Sequence, residues 1–136
     1  MKPLLYLVVL AAALAAPPLV TPALAHHTFA MFDHDKRVSV NGTVKEFEWT
    51  NPHSWMHLVV PGNDGKAEEY SFEMGSTGTL THDGWKADTV KPGDKISVLM
   101  HPYKDGTLGG QEITVTLAGG HVMTHTAAPS LDLPEN

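Results

Sequence analysis

From Arg37 onward the chain alternates short β-branched and aromatic runs with polar positions, broken by Gly, Pro, Asn and Asp, and no long stretch repeats with a helical period. Val38, Val40, Gly42 and Val44 share one parity, after which the apolar set switches to Phe47 and Trp49. Such a switch needs a bulge or a glycine-assisted bend within one long strand. Beyond Thr50-Asn51-Pro52, a second strand from Ser54 to Val60 puts Met56, Leu58 and Val60 on one face and Trp55, His57 and Val59 on the other. Asn63-Asp64-Gly65 signals a turn, and the next strand groups Tyr70, Phe72 and Met74 opposite Glu69, Ser71 and Glu73. Strands two and three therefore form a hairpin.

Between Gly75 and Asp88 the pattern changes: Ser76 or Thr77 can cap a short helix containing Leu80, and Gly84 can end it before Trp85. Lys91-Pro92-Gly93-Asp94 turns into Ile96, Val98 and Met100, and Lys104-Asp105-Gly106 leads through Gly109-Gly110 to Ile113, Val115 and Leu117, which predicts a second hairpin. A last short strand is expected from His121 to Thr124. Three strands, a short helix and two or three more strands predict a mainly β fold, a small Greek-key barrel of the oligonucleotide/oligosaccharide-binding (OB) type, with a β-sandwich as the alternative. Phe72, Ile96, Val98 and Val115 are the expected core.

The N-terminus reads differently. Lys2 precedes the apolar run Leu4 to Ala16, which Pro17-Pro18 interrupts, and Ala23-Leu24-Ala25 supplies the small-x-small pattern that a signal peptidase accepts. The run is shorter than the roughly 20 apolar residues of a spanning helix, so a cleavable signal peptide over residues 1–25 is favoured over an uncleaved anchor. The predicted organisation is a signal peptide at 1–25, one barrel domain at 26–125 and a Pro-containing, acidic, disordered tail at 126–136. Removing 25 of 136 residues leaves 111, enough for one core and too few for two. Export to the periplasm without a membrane anchor is expected.

Lys2 is the only charge lost on cleavage, so 9 Lys+Arg become 8 against 15 Asp+Glu, a net of -7 that disfavours nucleic acid as a partner. Cysteine is absent, which removes disulfides and thiolate chemistry. All nine histidines lie beyond residue 25, and this excess points to a metal ion. Cleavage after Ala25 would give His26 a free α-amine, so that amine and ring could chelate one metal, and a third nitrogen would complete a brace. Nitrogen donors in a tetragonal arrangement suit Cu(II). His27 can substitute for His26, while His53 and His101, at predicted strand ends, are the candidate third ligands. His57 shares the parity of His53 if that strand extends far enough. His34, His82, His121 and His125 fall in predicted turns or near the terminus, where a solvated surface is the default. Met56, Met74 and Met100 sit on apolar parity and read as core rather than as thioether ligands, and Glu46, Glu48, Glu68, Glu69 and Glu73 read as solubilising sheet faces. No phosphate loop, nucleophile elbow or His-Glu-x-x-His is present, so catalysis has no positive signal.

The segments His26-His27-Thr28-Phe29-Ala30-Met31-Phe32-Asp33, Glu48-Trp49-Thr50-Asn51-Pro52-His53-Ser54-Trp55, Gly84-Trp85, Lys91-Pro92-Gly93-Asp94 and His101-Pro102-Tyr103-Lys104-Asp105-Gly106 resemble an uncharacterised exported bacterial family of small single domains. That resemblance implies a periplasmic address and draws attention to His26, His27, His53 and His101, which stand inside the matching segments. Three functional expectations follow: a periplasmic copper-binding protein, with or without a periplasmic protein partner; an interaction or small-ligand barrel in which Trp49, Trp55 and Trp85 line a groove; and a copper-dependent oxidoreductase.

Overall fold

The computed structural model describes residues 30–124; the segment expected to be a signal peptide, His26, His27, His125 and the expected tail lie outside them. The expected switch of parity takes the form of a bulge. Strand β1 (Val38–Glu48) pairs antiparallel with β2 (Trp55–Pro61), and the register shifts between Val44 and Glu46. The bulge lets Val40 and Val44 face the core while Phe47 and Trp49 still pack against it. β2 pairs in turn with β3 (Ala67–Glu73), matching Met56 to Phe72 and Leu58 to Tyr70, so the hairpin has the register that its alternation requires.

Helix α1 (Thr77–His82) starts at Ser76, whose side chain accepts from the Thr79 amide, and it stops at Gly84, whose positive φ of 88° suits a residue without Cβ. The chain then forms β4 (Lys95–Pro102), β5 (Gly109–Thr116) and β6 (Val122–Thr124). β1 pairs with β4 as well as with β2, β4 pairs with β5, and β5 runs parallel to β3 through Ser71–Gly109, Phe72–Gly110 and Glu73–Gln111. This last pairing closes five strands in the order β1-β2-β3-β5-β4 into a barrel, with β6 added at the edge of β5. The closed barrel with one helix between β3 and β4 is the OB-like architecture rather than an open sandwich. Closure requires glycine: Gly109 adopts φ 128°, and a Cβ at Gly109 or Gly110 would collide with the backbone carbonyl of Ser71 or of His101.

Phe72, Ile96, Val98 and Val115 are buried in one cluster with Met56, Met74 and Met100, as the strand parities imply. Leu80 of α1, together with Trp85 and Val90 after it, completes the cluster. Trp85 is 1% exposed and is therefore core, and Trp49 packs against the core, so the three tryptophans do not line a common groove. An open cleft of about 550 Å³ between Thr43, Pro61, Ser97 and Leu117 contains neither tryptophan nor histidine. Among the described residues, no helix is long and apolar enough to cross a membrane.

Candidate functional site

The first described residues are stapled to the end of β4. The Lys104 amide donates to the Met31 carbonyl at 2.9 Å, the Asp33 amide donates to the Pro102 carbonyl at 2.8 Å, and Phe32 bridges to Tyr103. Phe32 is buried, with its ring 4.9 Å from that of Tyr103, so apolar burial holds the segment where the hydrogen bonds align it. A turn closed by the Lys36 amide on the Asp33 carbonyl then brings the Lys36 carbonyl to His101.

His101 is 6% exposed, and its Nδ1 lies 2.8 Å from the Lys36 carbonyl. A carbonyl only accepts, so Nδ1 carries the proton and Nε2 keeps its lone pair. This is the arrangement in which a second group fixes the tautomer of a metal-binding histidine. The ring of His34 lies edge-on to it, with centroids 4.8 Å apart, and 6.4 Å from Phe32. The sequence places His34 in a turn and reads it as solvated surface, yet it is partly buried against a ring 67 positions away in the chain. The Phe32-Asp33 staple and the Lys36 carbonyl on His101 bring the two together.

His53 occupies a second place. Its Nδ1 donates to the Met74 carbonyl at 3.1 Å and stands 3.3 Å from a Glu73 carboxylate oxygen, which again leaves Nε2 with a lone pair, but the ring is 44% exposed. Glu73 itself is buried, contrary to its expected place on an exposed face, because the parallel closure with β5 covers the end of β3. Burial raises its pKa, and the nearby His53 partly offsets the rise. The pairings His101–Gln111, Glu73–Gln111 and Trp55–Glu73 set His101, Gln111, Glu73 and Trp55 in one row across the outer face. At roughly 4.8 Å per strand, about 10 Å separates the backbones of His101 and Glu73, so His53 and His101 belong to different neighbourhoods. The phenol of Tyr103 is raised by burial, then by the carboxylates of Glu73 and Asp105.

His57 has both ring nitrogens engaged, Nδ1 with Ser71 Oγ at 2.9 Å and Nε2 with Glu48 Oε1 at 3.0 Å, so it offers no lone pair without breaking a bond. Glu69 is held in an ion pair with Lys45 at 2.6 Å, an ordinary surface role. His82 is exposed beside Asp83, and His121 is exposed. Among the described residues, no three His, Cys, Asp or Glu side chains converge into a group that could hold a metal.

The feature that strand alternation conceals is Glu112. The register of β4 on β5 shifts between Leu99 and Met100, so that Met100 pairs with Glu112 and the carboxylate falls on the core face of Met100. Glu112 is 1% exposed, and neither carboxylate oxygen has a hydrogen-bond partner among the described residues. Burial, reinforced by the carboxylate of Asp83, pushes its pKa up to about 8.

The fold and these side chains define a class: a small closed OB-like barrel carrying histidines on one strand end and buried carboxylates beside the neighbouring strands. The family model "Family of unknown function (DUF6152)" matches residues 14–112, most of the chain, and the chain belongs to that family. The matched span includes His26, His27, His53 and His101. Comparison with curated proteins finds no match.

Proposed function

We propose that this is an exported periplasmic metal-binding protein that takes up copper through the amine and ring of His26, with His101 as the internal ligand and His34 beside it. The observation that carries the reading is His101, whose Nδ1 is committed to the Lys36 carbonyl while its ring packs 4.8 Å from that of His34. The segment leading back to His26 is hydrogen-bonded to the same strand end through Met31 and Asp33. At 3.3 to 3.6 Å per residue, His27 and His26 are within roughly 10 to 14 Å of chain reach from Ala30. The donors are all nitrogen, which favours Cu(II) over Zn(II) in the divalent affinity order. With two internal rings rather than a group of three, the internal residues alone make a poor site, and the N-terminal amine supplies what is missing.

The test is Cu(II) titration of processed protein and of single variants, followed by calorimetry and electron paramagnetic resonance. His101→Ala should weaken binding about a hundredfold or more and alter the nitrogen hyperfine pattern, whereas His53→Ala should change affinity by less than about threefold. Wild-type affinity in His101→Ala would overturn the assignment.

A further inference from the structure

On the outer face of the barrel, side chains from β1, β2 and β3 form one hydrogen-bonded chain. His57 of β2 is paired with Ser71 of β3 on one side and, past the bulge, with Glu46 of β1 on the other. Its Nε2 lies 3.0 Å from Glu48 Oε1, and its Nδ1 lies 2.9 Å from Ser71 Oγ. What each group can do fixes the direction of both bonds. An ionised carboxylate only accepts, so Nε2 of the neutral ring carries the proton, Nδ1 is the acceptor, and the Ser71 hydroxyl donates to it. In this order a base can draw the proton from a nucleophilic hydroxyl while a carboxylate holds the base. Ser39 and Ser97, by contrast, meet each other at 3.2 Å rather than a base. The Ser71 hydroxyl is within reach of solvent: Ser71 and His57 are only partly buried, and β5 sets Gly109, which has no side chain, against Ser71.

We propose that Ser71 is a nucleophile, with His57 as its general base and Glu48 as the positioning residue, and that it takes the acyl group of a small, uncharged, activated ester. Ser71 Oγ bonds to the carbonyl carbon while its proton passes to His57 Nδ1, and the C–O bond to the leaving alcohol breaks as that alcohol takes the proton. Water then attacks the acyl carbon, giving its proton to the same nitrogen, which returns it to Ser71 Oγ as the acid leaves. The surroundings set the substrate class. Trp55 and Val59 stand two residues to either side of His57 on the same face of β2, so the acyl group meets apolar surface. Glu46 beside His57 and Glu69 diagonally across from it disfavour an anionic substrate. The Ser71 amide is spent on the Leu108 carbonyl at 3.2 Å and does not serve as an oxyanion donor, so the reaction is confined to esters with good leaving groups rather than amides. The site shares no residue with the copper reading.

The experiment is reaction of chelator-treated protein with p-nitrophenyl acetate, with p-nitrophenolate release followed by absorbance and the acetylated serines located by peptide mass mapping. Ser71 should be acetylated at least about a hundredfold faster than Ser39 or Ser97 of the same molecule, the scale of general-base assistance. That comparison needs no variant. Ser71→Ala should leave only the background release that the other histidines catalyse. His57→Ala should slow acetylation of Ser71 about a hundredfold, and free imidazole should restore part of it. Glu48→Gln should slow it about tenfold or more and release the proton from its fixed place on Nε2, read from the ring-nitrogen shifts of His57, which a merely structural carboxylate would not do. Acetylation of Ser71 no faster than that of Ser39 and Ser97 would overturn the proposal. Undiminished acetylation in a folded His57→Ala protein would overturn it as well, and an unchanged rate and tautomer in Glu48→Gln would overturn the role of Glu48.

Discussion

His101 and His53 are held in the same way and sit in opposite surroundings. Each donates its Nδ1 proton to a backbone carbonyl, Lys36 for one and Met74 for the other, and each keeps a lone pair on Nε2. His101 is buried edge-on to the ring of His34, which in turn meets Phe32 of the tethered N-terminal segment, whereas His53 is half-exposed beside the carboxylate of Glu73. A fixed tautomer makes a histidine available. Its neighbours decide for what: neutral nitrogens favour a soft or borderline metal, and carboxylates favour hydrogen bonding.

Both places hang on one barrel, and the most severe way to break the comparison is to remove what they share. Phe72, fully buried next to Glu73 and paired with both Met56 and Gly110, should cost about 3 to 5 kcal/mol when changed to alanine, measured by urea denaturation. A near-neutral result would mean that the closure of β3 on β5 does not rest on this side chain.

The carboxylate side should announce itself next, through pH. Glu112 holds its proton to about pH 8 in the folded protein, against an ordinary 4.5 in the unfolded chain. Between those values the native state binds more protons, so stability falls as pH rises, by up to about 1.4 kcal/mol per unit, and levels off above pH 8. The raised Glu73 acts in the same direction. Glu112→Gln should flatten most of this slope and make the protein more stable than wild type at pH 8. The His101 side carries no buried carboxylate, so His101→Ala should leave the slope intact.

A smaller effect separates the two rings at the proposed copper site. His34→Ala should weaken Cu(II) binding by about tenfold, less than His101→Ala, because His34 lies beside His101 rather than being held by the Lys36 carbonyl. A loss equal to that of His101→Ala would make His34 a full ligand, and no loss would reduce it to packing.

Most of the barrel was legible because its signals are local. The parity switch after Val44, the Asn63-Asp64-Gly65 turn, the Ser76 cap and the Gly84 stop each act within a few residues, and each corresponds to an observed feature. The sites were less legible because they depend on register and on contacts distant in sequence. Glu112 has outward parity if Ile113, Val115 and Leu117 are simply alternated, and the bulge opposite Leu99 and Met100 reverses it. Glu73 is buried only because β5 returns parallel to β3. His34 sits in a turn with no periodicity to read, and its partner His101 comes from the far end of β4. The excess of Gly at 109 and 110 was the one sequence signal that two backbones meet there.

The central claim is that the free amine of His26 completes the site begun by His101, and one comparison tests it most directly. Processed protein starting at His26 and the same chain with a single alanine before His26 differ only in which residue carries the α-amine. Cu(II) affinity at neutral pH should be at least about tenfold higher for the processed form and should fall as pH drops through the imidazole and amine range. Equal affinity for the two proteins would contradict the claim.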